Sequence, residues 1–260
     1  MQPFRIVRLV LVVCVFAAHV VVAQNKDDDN LGEITFEQLS DTKASLRYYA
    51  AGGGFIFGSL QLNADNINNN LPASYKLGSF PSSLLVTGGQ GFVALDFTYN
   101  FRFGISSVGG TKTITADTTQ NGTTVKRNLD MSASFNSVSL DYAIAVAKGL
   151  TILPGVQVGF GTFRFERYDG VTEGAVGNVG TINNSIKRLE TSQFTIQPGL
   201  NIEYTISSFA MIRGYAGYNI ASNGDWTENR VTKISSVEPK LNSSGLIFGA
   251  GVFVGLFRNE

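Results

Sequence analysis

Apolar and polar residues alternate with a period of two over much of the chain after residue 44. The clearest stretch is residues 192–206, where the even positions from Phe194 to Ile206 are apolar and the odd positions are polar or glycine. This period predicts a β-strand with one apolar and one polar face. Strands of soluble proteins usually have about five or six residues, whereas a tilted strand needs about 9 to 11 to cross a bilayer. The length of this stretch therefore favours a membrane-crossing strand.

Seven other stretches follow the same rule, so we predict eight strands between residues 45 and 257. The last of them, residues 245–257, is apolar on both faces, and its pattern leaves the inward face open. In the fourth, residues 125–147, the apolar positions are odd before Asn136 and even after it. Such a change of phase predicts a β-bulge near Asn136.

The connections between these strands alternate in length. They are long at residues 63–81, 169–187 and 222–242, intermediate at 117–124 around an Asn-Gly dipeptide, and very short elsewhere. Long external loops and short periplasmic turns are typical of outer-membrane barrels. A closed barrel with an even number of strands also pairs every backbone group, as lipid requires. The chain is therefore predicted to be all-β, an eight-stranded antiparallel up-and-down transmembrane β-barrel over residues 45–260.

The first 23 residues indicate a cleaved signal peptide, since Arg5 and Arg8 precede an apolar run that ends at Ala23. A membrane anchor is the alternative, but the 15 residues from 9 to 23 fall short of the roughly 20 that a spanning helix needs. A lipoprotein signal at Cys14 is a weaker alternative, because no small residue precedes it closely. Residues 24–44 are polar and are predicted to be a periplasmic leader.

The amino-acid composition limits the kinds of functional site that the chain can contain. Charged residues make up 15% of the chain and glycine accounts for 29 of its 260 residues, which suits a wall that meets lipid. There is no basic excess, so we expect no nucleic-acid partner. Cleavage after Ala23 would remove the only cysteine, Cys14, and the only histidine, His19. Thiol nucleophiles, imidazole bases and Cys or His metal sites are then excluded, and we expect a protein that is not an enzyme and has no cofactor.

The alternation, the loop asymmetry and the apolar last strand resemble those of small eight-stranded OmpA-like or opacity-type outer-membrane barrels. The resemblance covers residues 45–257. It implies a location in the bacterial outer membrane, contact with outer-membrane lipid and folding by the barrel assembly machinery. Such barrels commonly end on an aromatic residue that this machinery reads, whereas here Phe257 is followed by Arg258, Asn259 and Glu260.

Charges within the predicted strands fall on the face opposite the apolar run, as expected because Arg or Lys on the lipid face costs about 2 to 4 kcal/mol. The predicted inward polar residues are Asp96, Arg102, Asp141, Gln157, Gln193, Gln197, Asn201, Glu203 and Arg213. Hairpin register sets Glu203 opposite Arg213, and Asp96 opposite Arg102. We predict a polar network that plugs the lumen, with a lined water path as the alternative.

These features favour a non-enzymatic barrel that supports envelope integrity or surface interaction through an extracellular ligand or partner. A small-solute channel is the main alternative. A lipid hydrolase or acyltransferase would, by resemblance, need a histidine, and a secreted ligand-binding calyx would be apolar inside and wet outside. The three long connections are expected to face outside the cell, as recognition loops or as solvated spacers. Trp226 is the candidate anchor in these loops, or a residue that dips into the lipid interface.

Overall fold

The computed structural model describes residues 48–94, 100–120, 123–171, 185–235 and 237–259. The predicted signal peptide, the predicted leader, Asp96 and the Asn121-Gly122 turn lie outside the described residues. None of the described helices is long and apolar enough to cross a membrane.

Ten strands and two short helical segments make up the described chain. The strands are β1 (Tyr48–Leu62), β2 (Ser83–Ala94), β3 (Phe101–Gln120), β4 (Thr123–Tyr142), β5 (Ile144–Ala147), β6 (Leu150–Val171), β7 (Ser185–Ser207), β8 (Ala210–Glu228), β9 (Thr232–Ile234) and β10 (Gly245–Asn259). Between β1 and β2 lie the helix α1 (Ala64–Asn70) and a 3-10 turn (Ala73–Tyr75).

The strands close into a barrel. Antiparallel pairs run around the wall in the order β1, β2, β3, β4, β6, β7, β8 and β10. β10 returns to pair with β1 along its whole length, from Tyr48 opposite Asn259 to Leu62 opposite Gly245. β5 continues β4 after an interruption at Ala143, and β9 forms a short hairpin with β8. Eight long strands remain in the described residues, so the predicted fold class and strand number are confirmed.

The barrel wall is apolar on the outside in the part nearer the short turns, which we call the turn end. Exposed apolar side chains there form the apolar belt, at residues 55–57, 85–93, 101–105, 138–146, 156–160, 194–206, 212–218 and 246–256. Aromatic rings border the belt near the short turns, where the Phe101 and Tyr142 centroids lie 5.2 Å apart. A wall with this outer face is matched to lipid, because exposed apolar area of this extent is costly in water.

Beyond the belt, β3, β4, β6, β7 and β8 continue towards the long connections. We call this part the loop-end extension; it comprises residues 107–120, 123–136, 162–171, 185–192 and 222–228 with the connector 63–82. Its outer face is polar: Thr111 lies 3.0 Å from Ser132, Thr113 donates to Asp130 at 2.6 Å, and Thr115 donates to Asn128 at 2.9 Å. Its inner face is apolar, with Leu129, Met131, Phe163, Phe165, Leu189 and Trp226 buried together.

The structure contains no bulge near Asn136, so that prediction was wrong. β4 keeps one register with β3 and β6 through this point, with Asn136 opposite both Ser107 and Phe160. The odd positions of β4 point inward throughout. They are apolar in the loop-end extension, as at Met131, and polar inside the belt, as at Asp141. The change of phase in the sequence therefore marks the point where the inner and outer faces exchange polarity, while each side chain keeps the orientation that its position gives it.

The connector 63–81 is not the solvated loop that the sequence predicted. Asn63 caps α1 by accepting from the backbone N–H of Asn66 at 2.9 Å. Ile67 of α1, together with Leu71 and Tyr75 after it, is buried in the apolar interior of the loop-end extension. The connector therefore closes the mouth of the barrel.

The connection predicted at 222–242 is also corrected, since β8 runs through its first part to Glu228. One residue lies between Thr191 and Gln193, whereas two lie between their partners Trp226 and Asn223, so β8 carries a bulge there. In the connection predicted at 169–187, β6 continues to Val171 and β7 begins at Ser185, while residues 172–184 lie outside the described part. The strands on either side of the Asn-Gly dipeptide pair Gln120 with Thr123.

β10 now has an assigned inward face. Ile247, Phe253 and Phe257 are buried inside, while Leu246, Val252 and Leu256 are exposed on the belt. Glycines fill the other inward positions from Gly245 to Gly255, where the paired strand β1 approaches too closely for a side chain. The structure thus assigns the inward face of the strand whose sequence is apolar on both faces.

Candidate functional site

Four charged side chains meet inside the belt and form what we call the charge quartet. They are Arg102 of β3, Asp141 of β4, Glu203 of β7 and Arg213 of β8. Their side chains are 0% to 3% exposed. Two guanidinium groups face two carboxylates, so the group is formally neutral. Buried charges need such compensation, because each ion loses its hydration.

Arg102 bridges both carboxylates. It lies directly opposite Asp141 in the β3–β4 pair, and its Nε and Nη2 donate to Asp141 Oδ2 at 3.1 and 2.8 Å. Its Nη1 donates to Glu203 Oε1. A planar guanidinium with five N–H donors suits this double role better than an ammonium group.

Arg213 and Glu203 lie opposite each other across the β7–β8 hairpin, as the predicted register required. Arg213 Nε donates to Glu203 Oε1 at 2.7 Å, and Arg213 Nη1 donates to Gln90 Oε1 at 2.5 Å. The other oxygen of Glu203 accepts from the Tyr48 hydroxyl at 2.7 Å. Side chains from β1, β2, β3, β4, β7 and β8 thus meet in one hydrogen-bonded group that crosses the lumen.

Aromatic rings complete the surroundings of the two arginines. The guanidinium carbons of Arg102 and Arg213 lie 4.7 and 4.6 Å from the centroid of Phe92, and that of Arg213 lies 4.1 Å from Phe253. Cation–π attraction stabilises cations in such positions. Phe92 and Phe253 belong to a second buried apolar cluster at the turn end, with Tyr48, Ala50, Ile56, Ala94, Ala143, Leu153, Met211 and Phe257.

Space for the quartet comes from residues without side chains on the inner wall. Gly155 of β6 lies opposite Asp141, and a Cβ at this glycine would collide with Asp141 Oδ1. Gly54 of β1 likewise leaves room for the Phe253 ring that covers Arg213. The glycine content of the chain thus has a direct structural use at the site.

The other predicted inward residues divide among several places. Asn201 joins the quartet, with its Nδ2 donating to Asp141 Oδ1 at 3.3 Å. Gln157 accepts from Ser106 and Ser137 at 3.2 and 3.0 Å in a separate group. Gln197 lies opposite Gln157 in the β6–β7 pair and is half-buried.

Gln193 lies further towards the loop end. It donates to Asn223 Oδ1 at 2.6 Å and accepts from the Ser243 hydroxyl at 2.5 Å. Among the described residues, the predicted polar side chains are therefore divided among separate groups.

The predicted partner of Arg102, Asp96, lies outside the described residues. Sequence reasoning missed Asp141 as a partner of Arg102, together with Gln90 and Tyr48. Gln90 carried a usable signal, because it shares the alternation face of Asp96 in the predicted second strand. Tyr48 carried no such signal, since it occupies one of the positions that the alternation of its strand assigns to the apolar face.

Trp226 is not an exposed anchor and does not reach the lipid interface, so this prediction was wrong. Its side chain is 4% exposed and packs on Phe165 and Phe163, with both ring centroids 6.4 Å away. The bulge in β8 shifts the alternation by one residue and so turns Trp226 inward. Its indole N–H has no hydrogen-bond partner within the described part of the chain.

The closing connector is fixed to the barrel by polar contacts at the loop end. The Tyr75 hydroxyl donates to Glu228 Oε1 at 3.0 Å, and Arg167 Nη1 donates to the Ser74 carbonyl at 2.7 Å. Burial, and then the hydrogen bond to Glu228 and its charge, hold the pKa of Tyr75 above its usual value. The hydroxyl therefore remains a proton donor at neutral pH.

The barrel and its two faces define the class: this is an outer-membrane β-barrel protein. The antiparallel wall is closed, its belt meets lipid, and its charges lie inside, the combination that a spanning barrel requires. The described residues contain no group of three or more His, Cys, Asp or Glu that could hold a metal ion.

Comparison with known proteins adds little to this class. No protein-family model and no curated protein match the chain. Among solved structures, Acinetobacter baumannii CarO2 is similar at 10% identity and a TM-score of 0.35, over 80% of this chain and 99% of that one. Ail, the attachment invasion locus protein of Yersinia pestis, is similar at 8% identity and a TM-score of 0.29, over 81% and 97%. At such scores the likenesses carry no information on function.

Proposed function

We propose that this protein is a non-enzymatic outer-membrane barrel that supports envelope integrity or surface interaction through its loop-end extension, with a lumen that does not conduct. The observation that carries this proposal is that buried side chains block the interior at more than one level. The charge quartet lies between two buried apolar clusters, one at the turn end and one in the loop-end extension. Barrels of eight strands have interiors just wide enough for side chains to fill.

Three groups of side chains argue against a channel. The rings of Phe92 and Phe253 pack on the guanidinium groups of the quartet, and the Arg102–Glu203 pair joins β3 to β7 across the lumen. The connector with Ile67 and Leu71 closes the loop end. An ion crossing the lumen would have to displace all three, and opening the quartet alone would expose uncompensated buried charge.

The loop-end extension offers an element for surface interaction. β2 pairs with β3 only as far as Gly109, whereas β3 stays paired with β4 on its other side to Gln120. Residues 111–120 therefore form a sheet edge within the described part of the chain. Such an edge can hydrogen-bond an extended segment of another polypeptide. Short turns mark the periplasmic end in barrels of this class, which would place this edge outside the cell.

The secreted calyx is disfavoured by the outer wall, since large apolar side chains such as Phe57, Ile105 and Phe160 are exposed in the belt. The small-solute channel stays the alternative function. Recognition of β10 by the barrel assembly machinery stays a prediction.

Conductance separates a filled barrel from a channel. Purified protein inserted into a planar bilayer is expected to carry little steady current, because the quartet and both apolar clusters fill the lumen. Stable ohmic conductance from the unmodified protein would contradict the proposal and favour the small-solute channel. A heat-modifiability gel on the same sample ensures that the inserted protein is folded.

A further inference from the structure

The outer wall carries a groove of about 630 Å³ at the upper limit of the apolar belt, on β2, β3, β4 and β6. Two rows of directly paired residues form it. The lower row is Gly91, Ile105, Val138 and Val158, and the upper row is Gly89, Ser107, Asn136 and Phe160. We call it the β2–β6 groove.

The groove exists because its β2 positions have no side chains, while its β6 border carries a large one. Gly89 and Gly91 face outward, and a Cβ at either would have no neighbour within 3.6 Å. Phe160 on the far side is 68% exposed and forms a wall. The recess is thus open space on a lipid-facing surface, and the solvent that fills such space in a membrane is an acyl chain.

A free polar group borders this apolar recess. The Ser107 hydroxyl donates to Asn136 Oδ1 at 2.8 Å, which fixes the orientation of the carboxamide. Both N–H groups of Asn136 Nδ2 remain available as hydrogen-bond donors, since no residue of the described part accepts from them. A donor at the upper limit of the belt is placed to meet an ester or amide carbonyl, the first acceptor above an acyl chain.

A cation lies higher on the same wall. Arg164 follows Phe160 on the outward face of β6, two rows above the groove and opposite Ser132. A third of its side chain is exposed, and its Nε lies 3.5 Å from Glu166 Oε2. From the belt towards the loop end, the wall therefore carries the apolar recess, then the amide donor and then the guanidinium. A phospholipid has its acyl chain, its carbonyl and its phosphate in the same order.

We propose that the β2–β6 groove binds one phosphate-bearing acyl lipid of the leaflet at the loop end. The chain lies in the recess, its carbonyl accepts from Asn136 Nδ2, and Arg164 contacts the phosphate. This inference rests on the membrane location of the belt, but it does not depend on whether the lumen conducts or the loop-end extension binds a partner.

Native mass spectrometry of the purified full chain tests the site, with phosphatidylglycerol added to the detergent micelle. The unmodified protein is expected to retain one lipid after micelle removal. Gly91→Leu and Gly89→Leu fill the recess, and each is expected to lower retention by about tenfold, the equivalent of two buried methylene groups. Arg164→Gln is expected to remove a preference for phosphatidylglycerol over phosphatidylcholine.

Gly214→Leu is the matched control. Gly214 faces lipid on β8, in a recess of about 590 Å³ on the opposite side of the barrel that includes no Asn or Gln. A Cβ there meets nothing within 4 Å. This variant is expected to retain lipid as the unmodified protein does.

Three results would overturn the proposal: no lipid retained by the unmodified protein, equal retention by the groove variants, or an equal loss in Gly214→Leu. Heat modifiability checks folding of each variant. If the glycine variants do not fold, Phe160→Ala removes the exposed wall of the groove, and unchanged retention in that variant would equally contradict the site.

Discussion

The two halves of this barrel are inside-out versions of each other. Within the belt, the wall is apolar outside, as at Leu140, and charged inside, as at Asp141. In the loop-end extension, the same strand is polar outside, as at Ser134, and apolar inside, as at Met131. The register of β4 with β3 and β6 does not change between them. Only the surroundings change, from lipid to water.

This comparison shows how one continuous sheet can be stable in lipid along one part of its length and in water along the other. In lipid the outer face carries the apolar area, and the interior can hold ions that compensate each other. In water the outer face must be polar, and stability has to come from an apolar core of the usual soluble kind. The loop-end extension is therefore a small soluble domain built on the ends of membrane strands, and its core includes the connector that closes the lumen.

The largest expected effect concerns the quartet. Glu203→Ala leaves two buried guanidinium groups with one carboxylate, and removing one member of a buried ion pair costs roughly 3 to 5 kcal/mol. Denaturant unfolding of the refolded barrel should show a loss of that size, and the folded fraction should fall before any conductance opens.

Asp225→Ala is the control for that variant. Asp225 pairs with Lys233 at 2.7 Å beyond the belt, where the two side chains are 68% and 66% exposed and water screens the pair. Exposed pairs contribute about 0 to 1 kcal/mol, so the loss should be small. Equal losses in the two variants would mean that the interior of the belt is hydrated like the surface.

The core of the loop-end extension gives the next effect. Phe165 is fully buried against Phe163 and Phe80, with ring centroids 4.9 and 5.8 Å away. Phe165→Ala should cost about 3 kcal/mol through the cavity it leaves. Because the connector packs on this ring, limited proteolysis should cut the connector faster in the variant, while the belt strands stay protected. Unchanged cleavage of the connector would show that Phe165 does not hold the connector in place.

Much of the belt was predictable from sequence, and most of the loop-end extension was not. Alternation located the strands, and hairpin register placed Glu203 opposite Arg213. The rule used, that the apolar face meets lipid, reverses beyond the belt, so the change at Asn136 was interpreted as a bulge. Trp226 was misplaced because a real bulge two residues before it cannot be read from alternation alone. Arg102 and Asp141 meet across strands whose register depends on the distant end of a 20-residue pairing.

The smallest effect is a pH dependence of the connector. Burial and Glu228 raise the pKa of Tyr75, so the folded state favours the neutral phenol. The stability that this preference provides is fully present below pH about 10, the pKa of an unperturbed tyrosine, and decreases as the pH rises above it. Connector proteolysis should accelerate above that pH in the unmodified protein, and Tyr75→Phe should remove the acceleration. An acceleration that persists in Tyr75→Phe would assign it to another group.

The reversal of polarity is tested most directly by placing one cation at two positions on the outward face of β4. Leu140 and Ser134 point to the same side of the wall six residues apart, one within the belt and one beyond it. Unfolding free energies of Leu140→Arg and Ser134→Arg, measured in lipid vesicles, should differ sharply. Leu140→Arg should lose about 2 to 4 kcal/mol, as a cation facing lipid does, and Ser134→Arg should change by less than about 0.5 kcal/mol. Equal losses at the two positions would contradict the account of one wall in two solvents.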